Sequence, residues 1–422
     1  MIRLLHYNDL RKLIITNYGD SSSILVNRIL KYVIRYGDDA LVALSKRYEC
    51  RNIRKSDISI KINDIDFSGL DLNIKRNLLS CRNRIVGFHK RQLREIGLKS
   101  WFIKNSLNNV LGQACIPIKR VGVYIPGGKK IYPSSVFMNC VPAILSGVKK
   151  IYSCTPARLN KNNLPVFYAF KILGIDNIYN IGGAQAIAAL AFGTKRIHKV
   201  NKIIGPGNRF VNTAKKLVFG SVGIDTLAGP TEIGIYFDRD IKIKKIAYEL
   251  FSQIEHDDKC LSFVVSNNKK GIFKFYHKSK KFLIRNRFNP KIRIISKCFG
   301  RTMFFYNRKT RLCFKISNFL APEHFSLLSN NPIRHIGNIK TPGSIFIGRY
   351  NSESFGDYSI GTNHVLPTNR CSKFSSVLNV NDFMLIKNIS FIRYKEQKLT
   401  DIASSISKIE RLFFHYKNSI CC

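Results

Sequence analysis

From Arg120 onward, short apolar runs of strand length alternate with segments of helical period, and several of those runs close on glycine. Val121 to Ile125 ends in Pro126-Gly127-Gly128, Ser134 to Ser146 carries a helical pattern, and Lys150 to Cys154 is apolar again. Asn177 to Ile181 leads into Gly182-Gly183 and a helix over Ala184 to Phe192. Lys202 to Ile204 leads into Gly205-Pro206-Gly207-Asn208 and a further helix. Glu232 to Phe237, Leu261 to Ser266 and Ser344 to Ile347 are further strand-length runs. Strands separated by helices predict an α/β fold whose parallel sheets are covered on both faces. In such sheets ligands usually collect at the carboxyl ends of the strands.

The amino-terminal third reads differently. Its first residues suggest a short helical arm. Ser22 to Tyr36 places Ile24, Leu25, Ile29, Val33 and Ile34 at helical spacing, and Asp38 to Tyr48 opens another helix. Gly97 to Lys119 reads as an irregular connector. With 422 residues the chain exceeds one ordinary core, so two or more domains are expected.

A hydrophobic fraction of 45% and an aromatic fraction of 11% fit a globular protein. No apolar run approaches the ~18 residues that would suggest a membrane span. Met1 to Leu10 contains His6, Asn8 and Asp9 and lacks a signal-peptide core, which makes the cytoplasm the expected compartment. The 11 cysteines are odd in number and form no C-x-x-C pair, so free thiols are expected rather than a disulfide framework. A net charge of +44 raises the question of a nucleic-acid partner. The basic residues are spread along the whole chain among Ile, Asn, Phe and Tyr, as a general compositional bias would spread them. No recognised binding motif accompanies them, so the expectation is no specific nucleic acid and only salt-sensitive adsorption to polyanions. Asn267 to Lys281 mixes Lys with Phe273, Phe275 and Tyr276, which suits an amphipathic helix with a solvated basic face better than an RNA-facing patch.

Of the 9 histidines, His256, His324, His364 and His415 stand in polar, turn-rich surroundings. Gln253 and His256 are spaced so that a helix would present both on one face, where a divalent metal could bind if other donors joined them. Taken alone, that pair also fits an ordinary polar helix end. Asp357 reads as a loop carboxylate able to give an oxygen ligand, and His415 could give a nitrogen. Glu323-His324 follows Pro322, which suggests an exposed turn where acid and imidazole could share proton transfer. Gly205-Pro206-Gly207-Asn208 suits a ligand-facing turn before a helix, but Phe210 stands where the dinucleotide fingerprint needs its last glycine.

These segments together resemble the histidinol dehydrogenase family. The matching stretches run in order from Arg120–Gly128 through Gly182–Gly193, Gly205–Asn208, Ala228–Glu232, Ser252–His256 and Pro322–His324 to Ser354–Thr368. The resemblance implies two Rossmann-like α/β domains with parallel sheets, plus helical N-terminal and C-terminal extensions that pack in a homodimer. The implied division is an arm at 1–22, a main domain of 23–120 and 233–378, an NAD-contacting domain at 121–232 and an extension at 379–422. It implies zinc held by Gln253, His256, Asp357 and His415, the last from the partner subunit. Glu323 is similar to the family's water-activating base and His324 to its proton-transfer residue. Thr231, Gln253, His256, His324, Asp357, Glu410 and His415 match substrate-contacting positions; Tyr124, Gln185 and Asn208 match positions that contact NAD. The implied activity is oxidation of L-histidinol through L-histidinal to L-histidine with two NAD. Glu410 precedes His415 by about 140° of helix rotation, so a helix end or bend is needed for both to face one substrate. Thr231 replaces the usual Ser, and Asp257-Asp258 the usual Gly-Pro.

Overall fold

A computed structural model describes residues 4–5, 22–49, 52–127, 131–238, 241–255 and 259–421. The chain divides into two compact units, one of Met1–Glu95 and Ile118–Phe383 and one of Ile96–Pro117 and Met384–Cys422.

The first unit opens with β1 (Leu4–Leu5), α1 (Ser23–Tyr36), α2 (Asp38–Glu49), β2 (Ser59–Ile60) and the long α3 (Leu72–Ile96). Leu4–Leu5 is therefore extended where the sequence suggested helix; residues 6–21 of the expected arm lie outside the described residues. The strands β3 (Trp101–Lys104) and β4 (Val110–Pro117) belong to the second unit. The first unit resumes with β5 (Arg120–Tyr124), α4 (Pro133–Leu145), β6 (Lys150–Cys154), α5 (Leu164–Lys171) and β7 (Ile178–Tyr179). It continues through α6 (Gly183–Phe192), β8 (Lys202–Ile204), α7 (Arg209–Val218) and β9 (Gly223–Ile224). A second run of alternating elements follows: β10 (Glu232–Phe237), α8 (Ile243–Ile254), β11 (Leu261–Ser266), α9 (Lys269–Arg285), α10 (Pro290–Phe299) and β12 (Met303–Tyr306). It ends with α11 (Thr310–Leu320), β13 (His324–Leu328), β14 (Ser344–Ile347) and α12 (Glu353–Tyr358).

These strands form two six-stranded sheets within the first unit. One has the order β1-β12-β11-β10-β13-β14 and is parallel throughout. The other has the order β2-β7-β6-β5-β8-β9 and is parallel except where β2 meets β7. Every residue of β10 is buried, the pattern expected of a strand covered on both faces. Helix α6 is buried from Ala184 to Ala191, which explains its run of alanines: small side chains let α1 and α7 pack closely against it.

On α1 the buried stripe is Val26, Ile29, Leu30 and Val33, spaced as one helix face. Ile24 and Ile34, expected in that stripe, are 67% and 55% exposed, so the true core face is rotated from the one the sequence suggested. On α9 the buried residues Ile272, Phe275, Ser279 and Leu283 also make one stripe, and the lysines occupy the rest. Among the described residues, no helix is long and apolar enough to cross a membrane.

The second unit corrects the expectation of an irregular connector at Gly97–Lys119. Here β3 and β4 pair antiparallel, and β4 also pairs antiparallel with β15 (Met384–Phe391). The extension after residue 379 is thus partly strand, followed by the helices α13 (Gln397–Ile409) and α14 (Phe413–Cys421).

Candidate active site

Pairing of β10 with β13 sets Ile233 beside His324, so Glu232, which opens β10, and Glu323, just before β13, become neighbours at the amino end of the first sheet. The backbone N–H of Glu232 donates to Oε2 of Glu323 at 3.2 Å. The Nδ1 of His324 lies 3.8 Å from that same oxygen, and its Nε2 lies 3.9 Å from Oδ1 of Asp357. The imidazole stacks on Phe346 with ring centroids 5.9 Å apart. His324 is therefore the buried first residue of β13 and Glu323 the half-buried residue just before it, not an exposed turn. Pro322 ends the preceding segment, and the strand begins directly after the acid. Asp357 likewise lies on the short helix α12 rather than in a loop.

Burial dominates the electrostatics. It holds the Glu323 carboxyl well above the usual carboxylate range; the Glu232 amide opposes this, and the charges of Glu232 and Asp357 add to it. Glu232 is itself pushed up to about 7, chiefly by burial, although the Asn369 N–H donates to its Oε1 at 3.1 Å.

A second group of acids supports this cluster. The Ser326 hydroxyl, inside β13, donates to Oε1 of Glu249 at 3.2 Å and lies 3.4 Å from Oε1 of Glu353. Lys245 reaches Oε2 of Glu249 at 3.0 Å. Burial pushes the Glu353 carboxyl well up, reinforced by Glu249 and Asp357 and opposed by a hydrogen bond with Gln253. Gln253, in the last turn of α8, thus hydrogen-bonds the Glu353 carboxyl, and the Asp357 charge acts on the same group; both side chains carry an oxygen of the kind that suits a hard or borderline cation. His256 lies outside the described residues, as do Asp257 and Asp258. Among the described residues, no group of three or more His, Cys, Asp or Glu side chains forms a metal-sized cluster. His364, noted in the sequence but given no role, places Nδ1 3.2 Å from the backbone oxygen of Asp357. Thr231 directly precedes Glu232, and its carbonyl accepts the Leu261 N–H at 3.0 Å.

This cluster corrects one expectation. It sits at the amino ends of β10 and β13, because α8 crosses back over the sheet and delivers Gln253 there.

The carboxyl ends of the second sheet form a cavity of about 680 Å³. Tyr124, Gln185 and Asn208 line it together with Glu49 and Gly182-Gly183. Oε1 of Glu49 accepts from the Gly182 N–H at 3.0 Å and from Nε2 of Gln185 at 2.8 Å, while the Tyr124 hydroxyl accepts from the Gly183 N–H at 3.2 Å. Asn208 caps α7, its Oδ1 accepting from Phe210 and Val211 at 3.0 and 3.1 Å, which leaves its amide nitrogen for a ligand. A second cavity of about 950 Å³ shares Asn160 and Asn163 with the first and reaches Glu255 and Tyr358, beside the acid cluster.

In the second unit, Glu410 caps α13, Arg411 is left-handed at φ 58°, and α14 starts at Phe413. A helix break therefore separates Glu410 from His415, as joint action on one molecule requires. Glu49, Glu232, Glu249 and Glu353 were not singled out in the sequence. Each is a lone acid in a helix or strand, and apart from Lys245 beside Glu249 the partners named here lie far along the chain.

Known proteins resemble this chain over almost its full length. The histidinol dehydrogenase family model matches residues 17–420. Histidinol dehydrogenase from Lactiplantibacillus plantarum is 38% identical over 400 residues, covering 92% of this chain and 89% of that protein. The enzyme of that name from Cupriavidus pinatubonensis is 37% identical over 419 residues, covering 97% and 93%. The crystal structure of histidinol dehydrogenase from Elizabethkingia anophelis superposes with a TM-score of 0.89 at 27% identity, covering 100% of this chain and 97% of that one.

Proposed function

The chain belongs to the histidinol dehydrogenase family, and we propose that it oxidises L-histidinol through L-histidinal to L-histidine with two NAD, as the last step of histidine biosynthesis in the cytoplasm. The observation that carries this reading is the buried Glu323–His324–Asp357 cluster, with Asp357 and Glu323 at opposite edges of one imidazole.

His324 takes the hydroxyl proton of histidinol as hydride leaves for NAD, and the Asp357 carboxylate favours the imidazolium that results. Glu323 then takes a proton from the water that adds to the aldehyde. Burial raises this carboxyl, and once ionised a raised carboxyl is a stronger base than an exposed one, which suits that task. The resulting hydrate loses the second hydride. Tyr124, Gln185 and Asn208 contact NAD in the cavity they line, and Thr231, Gln253, His256, His324, Asp357, Glu410 and His415 contact the substrate.

Gln253, His256 and Asp357, with His415 of the partner subunit, would hold a zinc ion in a homodimer. The ion supplies a positive centre that orients the amine and imidazole of the substrate. Gln253 and Asp357, oxygen-bearing side chains that both act on the Glu353 carboxyl, support that assignment.

The test is NADH released per histidine formed, with and without a chelator. Two NADH per histidine and loss of activity on chelation are expected; one NADH per product, or indifference to the chelator, overturns the reading. In the same assay Glu323→Gln should slow oxidation of added histidinal more than that of histidinol. Equal losses reject Glu323 as the water-activating base.

A further inference from the structure

We propose that the buried ion pair Lys215–Asp225 is a positioning device for the NAD-binding turn, an inference that rests on the cavity of Tyr124, Gln185 and Asn208 being the cofactor site. Lys215 lies on the inner face of α7, in register with Val211, Ala214 and Val218, and is 0% exposed. A lysine at such a position is costly unless every donor is matched. Here all three are matched. Its ammonium donates to the carbonyl of Gly205 and to that of Thr226, each at 3.0 Å, and to Oδ1 of Asp225. The other Asp225 oxygen accepts the Gly205 N–H at 2.8 Å.

The pair therefore grips both polar groups of one residue, and that residue opens the turn Gly205-Pro206-Gly207-Asn208. Gly205 has φ +112°, a conformation that favours glycine, and a Cβ there would collide with the carbonyl oxygen of Tyr124. The backbone of Tyr124 and the start of the turn are thus packed together by a contact only glycine permits. Asn208, three residues on, caps α7 and faces the cavity. With its donors spent and no exposure, Lys215 does not reach the cavity; it acts through the turn. An apolar pair of similar volume would fill the same space without the desolvation cost, but would leave the amide and carbonyl of Gly205 unheld. What the ion pair adds is the orientation of the turn.

The experiment uses the full-length protein and the double variant Lys215→Met/Asp225→Leu, which leaves no lone charge buried. The KM and Kd for NAD should rise about tenfold, while kcat at saturating NAD and the KM for histidinol stay within about twofold. Asp225→Asn, which keeps an acceptor for the Gly205 N–H, should give a smaller rise. Unchanged NAD affinity in the folded double variant overturns the positioning role, and so does an equal rise in the KM for histidinol. Should the double variant fail to fold, hydrogen exchange of the wild-type Gly205 amide decides. Protection is expected, and exchange at the rate of an open loop overturns the proposal. Wild-type protein that binds no NAD would instead overturn the proposed function, and this role with it.

Discussion

Among individual side chains, burial raises the carboxyls of Glu232, at the start of β10, and Glu323, just before β13, and Glu232 offers the cleaner measurement. Burial raises it from its usual value near 4.5 to about 7. The native state therefore keeps a proton that the unfolded chain releases earlier. Its contribution to stability is fully present below pH 4.5 and is lost as pH rises through 7. The stability of the wild type minus that of Glu232→Gln should fall by on the order of 3 kcal/mol across that window and level off above it. Denaturant titrations at a series of pH values check this, and a flat difference would mean that Glu232 is ionised in the native protein. The subtraction removes the general repulsion among the basic residues, which both proteins share. Nothing in the sequence marks Glu232 as buried: it opens an apolar run exactly as a solvated strand end would. Helical spacing is local and singles out Gln253 from the sequence, whereas the acids around Gln253 are joined only by the fold.

At the level of elements, Asn208 has two tasks that substitution can separate. Its oxygen caps α7, and in the proposed function its nitrogen meets NAD. Asn208→Ala should lose about 1 kcal/mol of stability together with NAD affinity. Asn208→Asp keeps the capping oxygen, so it should keep the stability and lose only the affinity. Chemical denaturation and the KM for NAD measure the two separately; parallel losses in both variants would sink the division of labour. The elements themselves were legible where a strand coincides with a short apolar run. Lys150–Cys154, Lys202–Ile204, Glu232–Phe237, Leu261–Ser266 and Ser344–Ile347 have the bounds read from their apolar runs. His324–Leu328 was missed because its first residue follows an acid and a proline, which together imitate a turn. Trp101–Lys104, Val110–Pro117 and Met384–Phe391 were missed for another reason. They are mostly exposed or half-buried in this chain, so no regular alternation of burial is written into them.

For the whole molecule, the proposed sharing of a zinc site between two copies makes a prediction no single chain can satisfy. Asp357→Ala and His415→Ala should each be inactive alone. In a mixed dimer one site carries both lesions and the other carries neither. Unfolding and refolding the two variants together should recover about a quarter of wild-type activity; no recovery would place every donor to one site on one chain. The arrangement of the two sheets has an electrostatic consequence of its own. The proposed cofactor cavity lies at the carboxyl ends of its strands, where α6 and α7 begin, and helix beginnings carry partial positive charge. The acid cluster lies at the amino ends of its strands, where α8 finishes, and helix finishes carry partial negative charge. The backbone alone therefore sorts the reactants by sign, favouring phosphates at one sheet and a cation or ammonium group at the other.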